Sequence, residues 1–370
     1  MPNQPTSPEL RTETAAYLAA LEERMQVFFQ EQRQILEQIS EETLPLLEAI
    51  EALSAGGKRL RALLAYWGWR GAGGQAGDLG LVDAGLALEL FQTAALIHDD
   101  MIDASDTRRG APSVHRRFEA MHQLKGYKTN PAHFGSSSAL LAGDLCLSWS
   151  EMAFAAIPQL QQASQARAIF DLMRTEVMAG QYLDVLGEVI PQEEADLALT
   201  RAQKVIRYKS AKYSCEHPLV LGGALALGLK AQEASDLLAG YRAFALPLGE
   251  GFQLRDDVLG VFGQPEKTGK PAGDDLREGK RTVLTALTSQ SVGKEEALFL
   301  EQSLGNPDLS GQEILALQEL IRSSGALDEV EAIIQAKGDQ ALEQLAALPL
   351  DPLPREALTA LAYQALNRSA

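Results

Sequence analysis

Asp99, Asp100 and Asp103 fall within the run Asp99-Asp100-Met101-Ile102-Asp103, and Thr107-Arg108-Arg109-Gly110 follows closely. At about 100° per residue, a helix sets Asp99 and Asp103 on one face a turn apart, with Asp100 beside them. Carboxylates grouped at a helix C-terminus repel one another and oppose the helix dipole. Divalent cations between them remove that mismatch. Hard oxygen donors suit Mg²⁺, which takes one or two carboxylates and completes its shell with water and phosphate oxygens. Arg108 and Arg109 carry the planar fork that grips phosphate bidentately. These residue types fit a metal-bridged polyphosphate. A single acidic helix end is more often a solvated surface, but a second acidic pair, Asp256-Asp257, ends another apolar stretch from Phe244 to Leu254. Two acidic helix ends facing one cavity would hold several metal ions against one diphosphate.

The elements that must position these groups read as helices. An apolar-rich run from Leu79 leads into Asp99, and helical periodicity is almost unbroken along the 370 residues, with no alternating strand signal of useful length. No linker-like composition shift divides the chain, so one all-α domain over residues 10–370 is expected, behind a disordered tail at 1–9. From Leu10 to about Gln38, Leu18, Leu21, Met25, Phe28 and Phe29 recur at helical spacing, the pattern of an amphipathic helix packed on the bundle or on a second subunit. At Gly56-Gly57-Lys58-Arg59-Leu60-Arg61, two glycines let backbone approach a ligand, and Lys58, Arg59 and Arg61 enter the next helix near its positive end. That arrangement favours a diphosphate.

Taken together, the Gly56–Arg61 motif, the first acidic motif with its Thr107–Gly110 extension, and Gly251-Phe252-Gln253-Leu254-Arg255-Asp256-Asp257 resemble the trans-isoprenyl diphosphate synthases, the polyprenyl synthetase family. The likeness runs from about Gly56 to Lys280. One departure stands out: Gly260 occupies the place where many members carry a third Asp in the second motif.

The resemblance implies a single large bundle of antiparallel helices around a deep central cavity, the isoprenoid synthase fold. It implies head-to-tail condensation of an allylic diphosphate (dimethylallyl, geranyl or farnesyl) with isopentenyl diphosphate. Three Mg²⁺ per active site are implied, with Mn²⁺ as a substitute, held by Asp99, Asp100, Asp103, Asp256 and Asp257, with Asp184 near a metal. Isopentenyl diphosphate falls to Gly57, Lys58, Arg61, Gln92 and Arg109, and the allylic diphosphate to Arg108, Lys209, Lys270 and Lys280. The same resemblance implies that Lys209, Ser210 and Gln253 face the developing cation.

Several of these positions have plainer readings from the sequence alone. Gln181 and Asp184 could be the wet face of a helix, and Tyr208–Tyr213 a polar bend between two apolar helices, since hydroxyl groups compete for helix backbone. The Gly/Pro-rich stretch Gly263–Asp275, leading to Gly279-Lys280, has the composition of a closing lid and of any flexible loop. His122–Gly135 reads as a surface loop without chemistry. His98 is offset from the metal-facing side, and the histidines show no zinc-ligand spacing.

Composition narrows the function classes. A net charge of −17 argues against nucleic-acid binding. Cys146 and Cys215 sit in apolar helical contexts and read as buried free thiols, which points to a cytoplasmic location. Leu219–Leu229 is too short to span a bilayer, and no transmembrane role is expected. A homodimer is expected through the N-terminal helix and the apolar Leu79–Ile97 helix. For product length, Ala95 lies one turn beneath Asp99 with Ala94 beside it, and Phe91 is the next bulky residue, about 6 Å further down. Trp149 or Met152 could close the same pocket. Where relatives close the pocket with an aromatic at either alanine position, this chain is open, so geranylgeranyl diphosphate is expected, with a farnesyl or longer product as the alternative. A terpene cyclase, a noncatalytic partner subunit and a phosphate hydrolase are the weaker readings.

Overall fold

The computed structural model describes residues 6–190, 195–228, 235–263 and 273–367. The described chain is almost wholly helical: α1 Pro8–Ile39, α2 Leu44–Ser54, α3 Leu60–Gly71, α4 Leu79–Ile102, α5 Val114–Leu124, α6 Pro131–Ala155, α7 Ser164–Val189, α8 Ala195–Val205, α9 His217–Leu227 and α10 Ser235–Phe262. A π-helical segment, Ile206–Glu216, joins α8 to α9, and further helices cover Asp274–Glu278, Val283–Ser291, Lys294–Ser303, Gly311–Ser323, Ala326–Ala347 and Pro352–Leu366. One two-residue ribbon pairs β1, Thr107–Arg108, with β2, Ala111–Pro112.

The described residues group into two compact units. One takes Thr6–Ala166 with Leu221–Ala234, and the other Arg167–Val220 with Ser235–Ala370. In the first, α4 and α6 run antiparallel, because His98 meets α6 at Gly143 while Ser150 donates to the carbonyl of Ala87 at 2.7 Å. Aromatic side chains fill the space around them: Tyr17 stacks on Tyr66 at 4.2 Å, and Trp149 meets Phe28 edge-on at 5.8 Å. By length and composition α4 is apolar enough to cross a membrane, yet 78% of its apolar window is buried inside the protein. In the second unit, α10 runs antiparallel to Ala326–Ala347, with Glu250 bound to Lys337 at 2.6 Å and Arg255 to Glu331 at 2.7 Å.

Several expectations are corrected here. The first helix starts at Pro8, capped by the side chain of Ser7, so ordered chain begins before residue 10. His122, Gln123 and Leu124 belong to the last turn of α5, and α6 already begins at Pro131, which shortens the expected 122–135 loop to Lys125–Asn130. Asn130 caps α6 by accepting from the His133 amide at 3.1 Å, a start signal hidden in a Gly- and Pro-containing stretch. Asp256-Asp257 lies within α10, which continues to Phe262. The apolar surplus of Leu79–Ile97 goes into core packing, and the exposed apolar side chains of the first unit include Leu140, Leu141 and Met152 on α6.

Candidate active site

In the first unit the site is organised by the way α4 stops. Asp103 is its C-cap, donating its amide to the carbonyl of Asp99 at 2.8 Å, and the Ser105 amide reaches back to the carbonyl of Asp100 at 2.9 Å. This six-to-one closure needs a left-handed residue between them, and Ala104 takes φ 52° there. An alanine in that conformation costs roughly 1–2 kcal/mol, which the fixed position of the acidic turn must offset. Next, Arg109 (φ 55°) and Gly110 (φ 76°) form the two-residue loop of the β1–β2 ribbon. The ribbon folds Arg108 back onto α4.

Arg108 divides the acidic motif. Its Nε donates to Asp100 Oδ1 at 2.8 Å and its Nη2 reaches both Asp100 and Asp99, the latter at 3.2 Å. Asp100 is only 1% exposed, so its carboxylate serves as the buried counter-charge that aims Arg108. Asp100, expected among the metal ligands, is here held by Arg108. Asp99 and Asp103 are half-buried and keep the one-turn spacing expected of them. His98 turns to α6, with Nε2 3.7 Å from Asp144 Oδ1.

Arg109 turns the other way and donates to the carbonyls of Leu53 at 3.0 Å and Ala55 at 3.3 Å. A Cβ on Gly57 would stand 3.0 Å from this guanidinium, and Gly57 also holds φ 88°, so both space and backbone call for glycine. Burial, with Arg59, Arg108 and Arg61 nearby, pulls Arg109 below the ordinary arginine value despite Glu89. The expected isopentenyl diphosphate residues Gly57, Arg61 and Arg109 are thereby brought together with Arg108 into one cationic neighbourhood. Lys58 is exposed on the same turn, and Gln92 is half-buried on α4. Arg59 instead ties the glycine turn to α4, binding Glu89 at 2.9 Å and the carbonyl of Ser54 at 2.8 Å.

In the second unit the expected polar break at Tyr208–Tyr213 is no break, since helical hydrogen bonding widens to the π pattern through Ile206–Glu216. Such widening displaces side chains from the α register and is frequent at functional sites. Two glycines allow the close packing around it. A Cβ on Gly180 would collide with the backbone of Lys209, and one on Gly249 would come within 2.6 Å of the Ala211 carbonyl. Lys209 binds Asp184 from α7, so both residues of the expected site meet, with Asp184 engaged as a counter-ion. Further along the segment, Glu176 accepts from Lys212 and His217, each at 2.6 Å. Ser210 is half-buried between these pairs in sequence.

On α10, Gln253 donates its amide nitrogen to Asp257 Oδ1 at 2.8 Å, which leaves its carbonyl end for a cation. Burial, reinforced by Asp275 and Asp256 and opposed by Gln253 and Lys280, pushes Asp257 up to about 7. Asp256 is the more accessible of the pair. Lys280 binds Glu278 at 2.6 Å and Asp275 at 3.4 Å. Lys270 lies outside the described residues. Sequence reasoning overlooked Glu176, Gly180 and Asp275 as organising residues; the Asp275–Lys280 spacing after the lid stretch was the available signal for the last.

The donor set fits a hard divalent cation. Among the described residues no three His, Cys, Asp or Glu side chains gather closely enough to enclose a metal by themselves. Half-buried carboxylates in ones and twos are what Mg²⁺ takes when a substrate phosphate supplies further oxygens. The chain-length candidates separate clearly: Phe91 is 1% exposed and Ala94 0%, both locked in the core of the first unit, while Ala95 is half-buried. Phe91 and Ala94 therefore do not border open space for a growing tail, and Trp149 is committed to the Phe28–Phe29 cluster.

Comparison with known proteins agrees with this chemistry. The family model for polyprenyl synthetase matches residues 44–321. A solved geranylgeranyl pyrophosphate synthase from Corynebacterium glutamicum, complexed with isoprenyl diphosphate and magnesium, is 37% identical with a TM-score of 0.89, covering 95% of this chain and 99% of that one. Geranylfarnesyl diphosphate synthase of Aeropyrum pernix is 28% identical over 85% of this chain and 91% of its own length. Farnesyl diphosphate synthase of Geobacillus stearothermophilus is 33% identical over 73% and 85%. The chain belongs to the polyprenyl synthetase family. It is a trans-prenyltransferase of the all-α isoprenoid synthase fold, a family that joins allylic diphosphates to isopentenyl diphosphate with the help of a divalent metal.

Proposed function

We propose that this prenyltransferase makes geranylgeranyl diphosphate, and that Mg²⁺ is its metal. The observation that carries the diphosphate chemistry is the cationic neighbourhood of Arg61, Arg108 and Arg109 beside the Asp99–Asp103 turn. By the family resemblance, Asp99, Asp103 and Asp256 would hold Mg²⁺, which would supply Lewis-acid charge to the departing diphosphate. The resemblance assigns the allylic diphosphate to Arg108, which Asp100 aims, and to Lys209, Lys270 and Lys280. Lys58, Arg61, Gln92 and Arg109 hold isopentenyl diphosphate, with Gly57 giving the backbone room. The allylic carbon–oxygen bond breaks, and charge builds on diphosphate and carbon together. Preorganised cations therefore favour the transition state over the ground state. The Gln253 carbonyl and Ser210 hydroxyl face the allylic cation, the double bond of isopentenyl diphosphate attacks it, and the departed diphosphate takes the final proton.

Product length rests on Ala95, which shares the half-buried stripe of α4 with Asp99 and Gln92 and presents only a methyl. The synthase is placed in the cytoplasm, in keeping with its two buried free thiols, Cys146 and Cys215, and α4 is a core helix whose apolar surface is met by protein. A homodimer is supported by Leu140, Leu141 and Met152, exposed on α6. Incubation with labelled isopentenyl diphosphate, an allylic starter and Mg²⁺, followed by chromatography of the dephosphorylated products, tests the reading. A dominant C20 alcohol is expected; dominant C15, or C30 and longer, overturns it. Ala95→Phe should shorten the product, and an unchanged product would show that Ala95 does not border the tail.

A further inference from the structure

In the first acidic motif the carboxylates that face one side are four residues apart, Asp99 and Asp103. The second motif begins the same way at Asp256, but four residues on it has Gly260. The space a side chain would fill there is not open. A Cβ built on Gly260 would collide with the carboxylate of Asp275, whose Oδ2 and Cγ are its nearest neighbours. Asp275 comes from a different element, the short helix Asp274–Glu278, bounded by Gly273 (φ 73°) and Gly279 (φ 81°). Gly279 packs against the backbone of Gly305, and the Lys280 amide donates back to the Asp275 carbonyl at 3.0 Å, so the helix is held on both sides. The Asp275 carboxylate also binds Lys280 at 3.4 Å.

We infer that Asp275 supplies the carboxylate that residue 260 lacks, completing the second acidic set from a separate helix and positioning it to hold a divalent cation on a diphosphate. The absent side chain at 260 and the seated carboxylate of 275 form one feature, because each position excludes a bulky group at the other. The geometry restores a carboxylate one helical turn beyond Asp256, as Asp103 stands one turn beyond Asp99. Asp275 acts as a positioning residue: it adds negative charge beside Asp256 and Asp257 and pairs with Lys280. The inference rests on the metal-dependent diphosphate chemistry proposed above.

The test is Mn²⁺ binding to the full chain in the presence of inorganic pyrophosphate, followed by electron paramagnetic resonance. Asp275→Asn keeps the shape and removes the charge, and should weaken Mn²⁺ binding by about tenfold or more, as losses around metal ligands commonly do. Gly260→Asp alone should also weaken it, because two carboxylates then compete for one space. The double variant Gly260→Asp with Asp275→Ala moves the carboxylate onto α10 and should recover most of the affinity, which a merely structural Asp275 would not allow. Binding by Asp275→Asn within about twofold of wild type, or a double variant no better than Asp275→Ala, overturns the inference. Asp99→Ala separates the two levels. If it abolishes Mn²⁺ binding while Asp275→Asn does not alter it, only the role of Asp275 fails; if neither variant alters it, the metal reading itself fails.

Discussion

Replacing Asp100 should behave unlike replacing Asp99, although the two are adjacent in one acidic motif. Asp100 is 1% exposed and takes the hydrogen bonds of Arg108 through Nε and Nη2, whereas Asp99 receives a longer contact from the same guanidinium at 3.2 Å. Charge-assisted hydrogen bonds each contribute about 1.5–3 kcal/mol, and breaking a buried pair costs about 3–5 kcal/mol. Arg108 retains Asp99 and has 18% of its side chain exposed, so the lower end applies and Asp100→Ala should cost about 3 kcal/mol. At roughly 2–4 °C per kcal/mol for a unit of this size, the melting temperature should fall by about 6–12 °C. Asp99→Ala should cost no more than about 1 kcal/mol, the value of a partly exposed pair, and shift the melt by about 4 °C or less. Thermal unfolding in the presence of a chelator measures stability without metal, and turnover across a Mg²⁺ titration measures the second property. Asp99→Ala should raise the Mg²⁺ needed for half-maximal turnover, while Asp100→Ala should lose turnover in a way that extra Mg²⁺ does not restore. A melt for Asp100→Ala within about 2 °C of wild type would refute the reasoning, and a Mg²⁺ shift matching that of Asp99→Ala would return Asp100 to the metal ligands.

Asp99→Ala and Asp103→Ala should each lose at least several hundredfold in turnover at saturating Mg²⁺, and Asp257→Ala should lose less than Asp256→Ala because Asp257 is buried against Gln253; near-wild-type turnover in either first-motif variant would remove the assigned role. Light scattering should give twice the 40.0 kDa chain mass, and Leu141→Glu on the exposed face of α6 should lower it; a single-chain mass across a wide concentration range counts against the dimer. Acid should destabilise the π-helical segment in two steps. Burial holds His217 below its ordinary 6.5 despite Glu176, and Lys212 and His217 hold Glu176 below its ordinary 4.5 against the opposing effect of burial. Both values are depressed, so their stabilisation is present above those unfolded values and is lost as pH falls through the folded ones. Melting curves of His217→Asn should therefore show a shallower decline below about pH 6.5 than wild type, and identical slopes would exclude the histidine as a source.

The sequence by itself determined the chemistry and most of the local structure. The spacing of Asp99 and Asp103, the glycines before Lys58, and the apolar run from Leu79 are properties of consecutive residues. Helix periodicity and backbone sterics convert such properties into geometry without reference to the rest of the chain. Ala94, Ala95 and Phe91 show the opposite case: helical spacing places all three near Asp99, but packing by other elements buries Phe91 and Ala94 and leaves Ala95 half-buried. The same limit applies to Asp100, whose neighbour Asp99 has identical chemistry; a ribbon that folds Arg108 back onto α4 assigns one to the protein interior and leaves the other half-buried. Tyr208–Tyr213 looked like a bend because its polar residues break an apolar pattern, while Gly180 and Gly249 let neighbouring backbones close on it as a π-helix. Gly260 looked like a missing ligand until Asp275, fifteen residues on, was found seated against it. These outcomes depend on contacts between residues distant in the chain, where burial and close packing choose among side chains that local rules treat as equal.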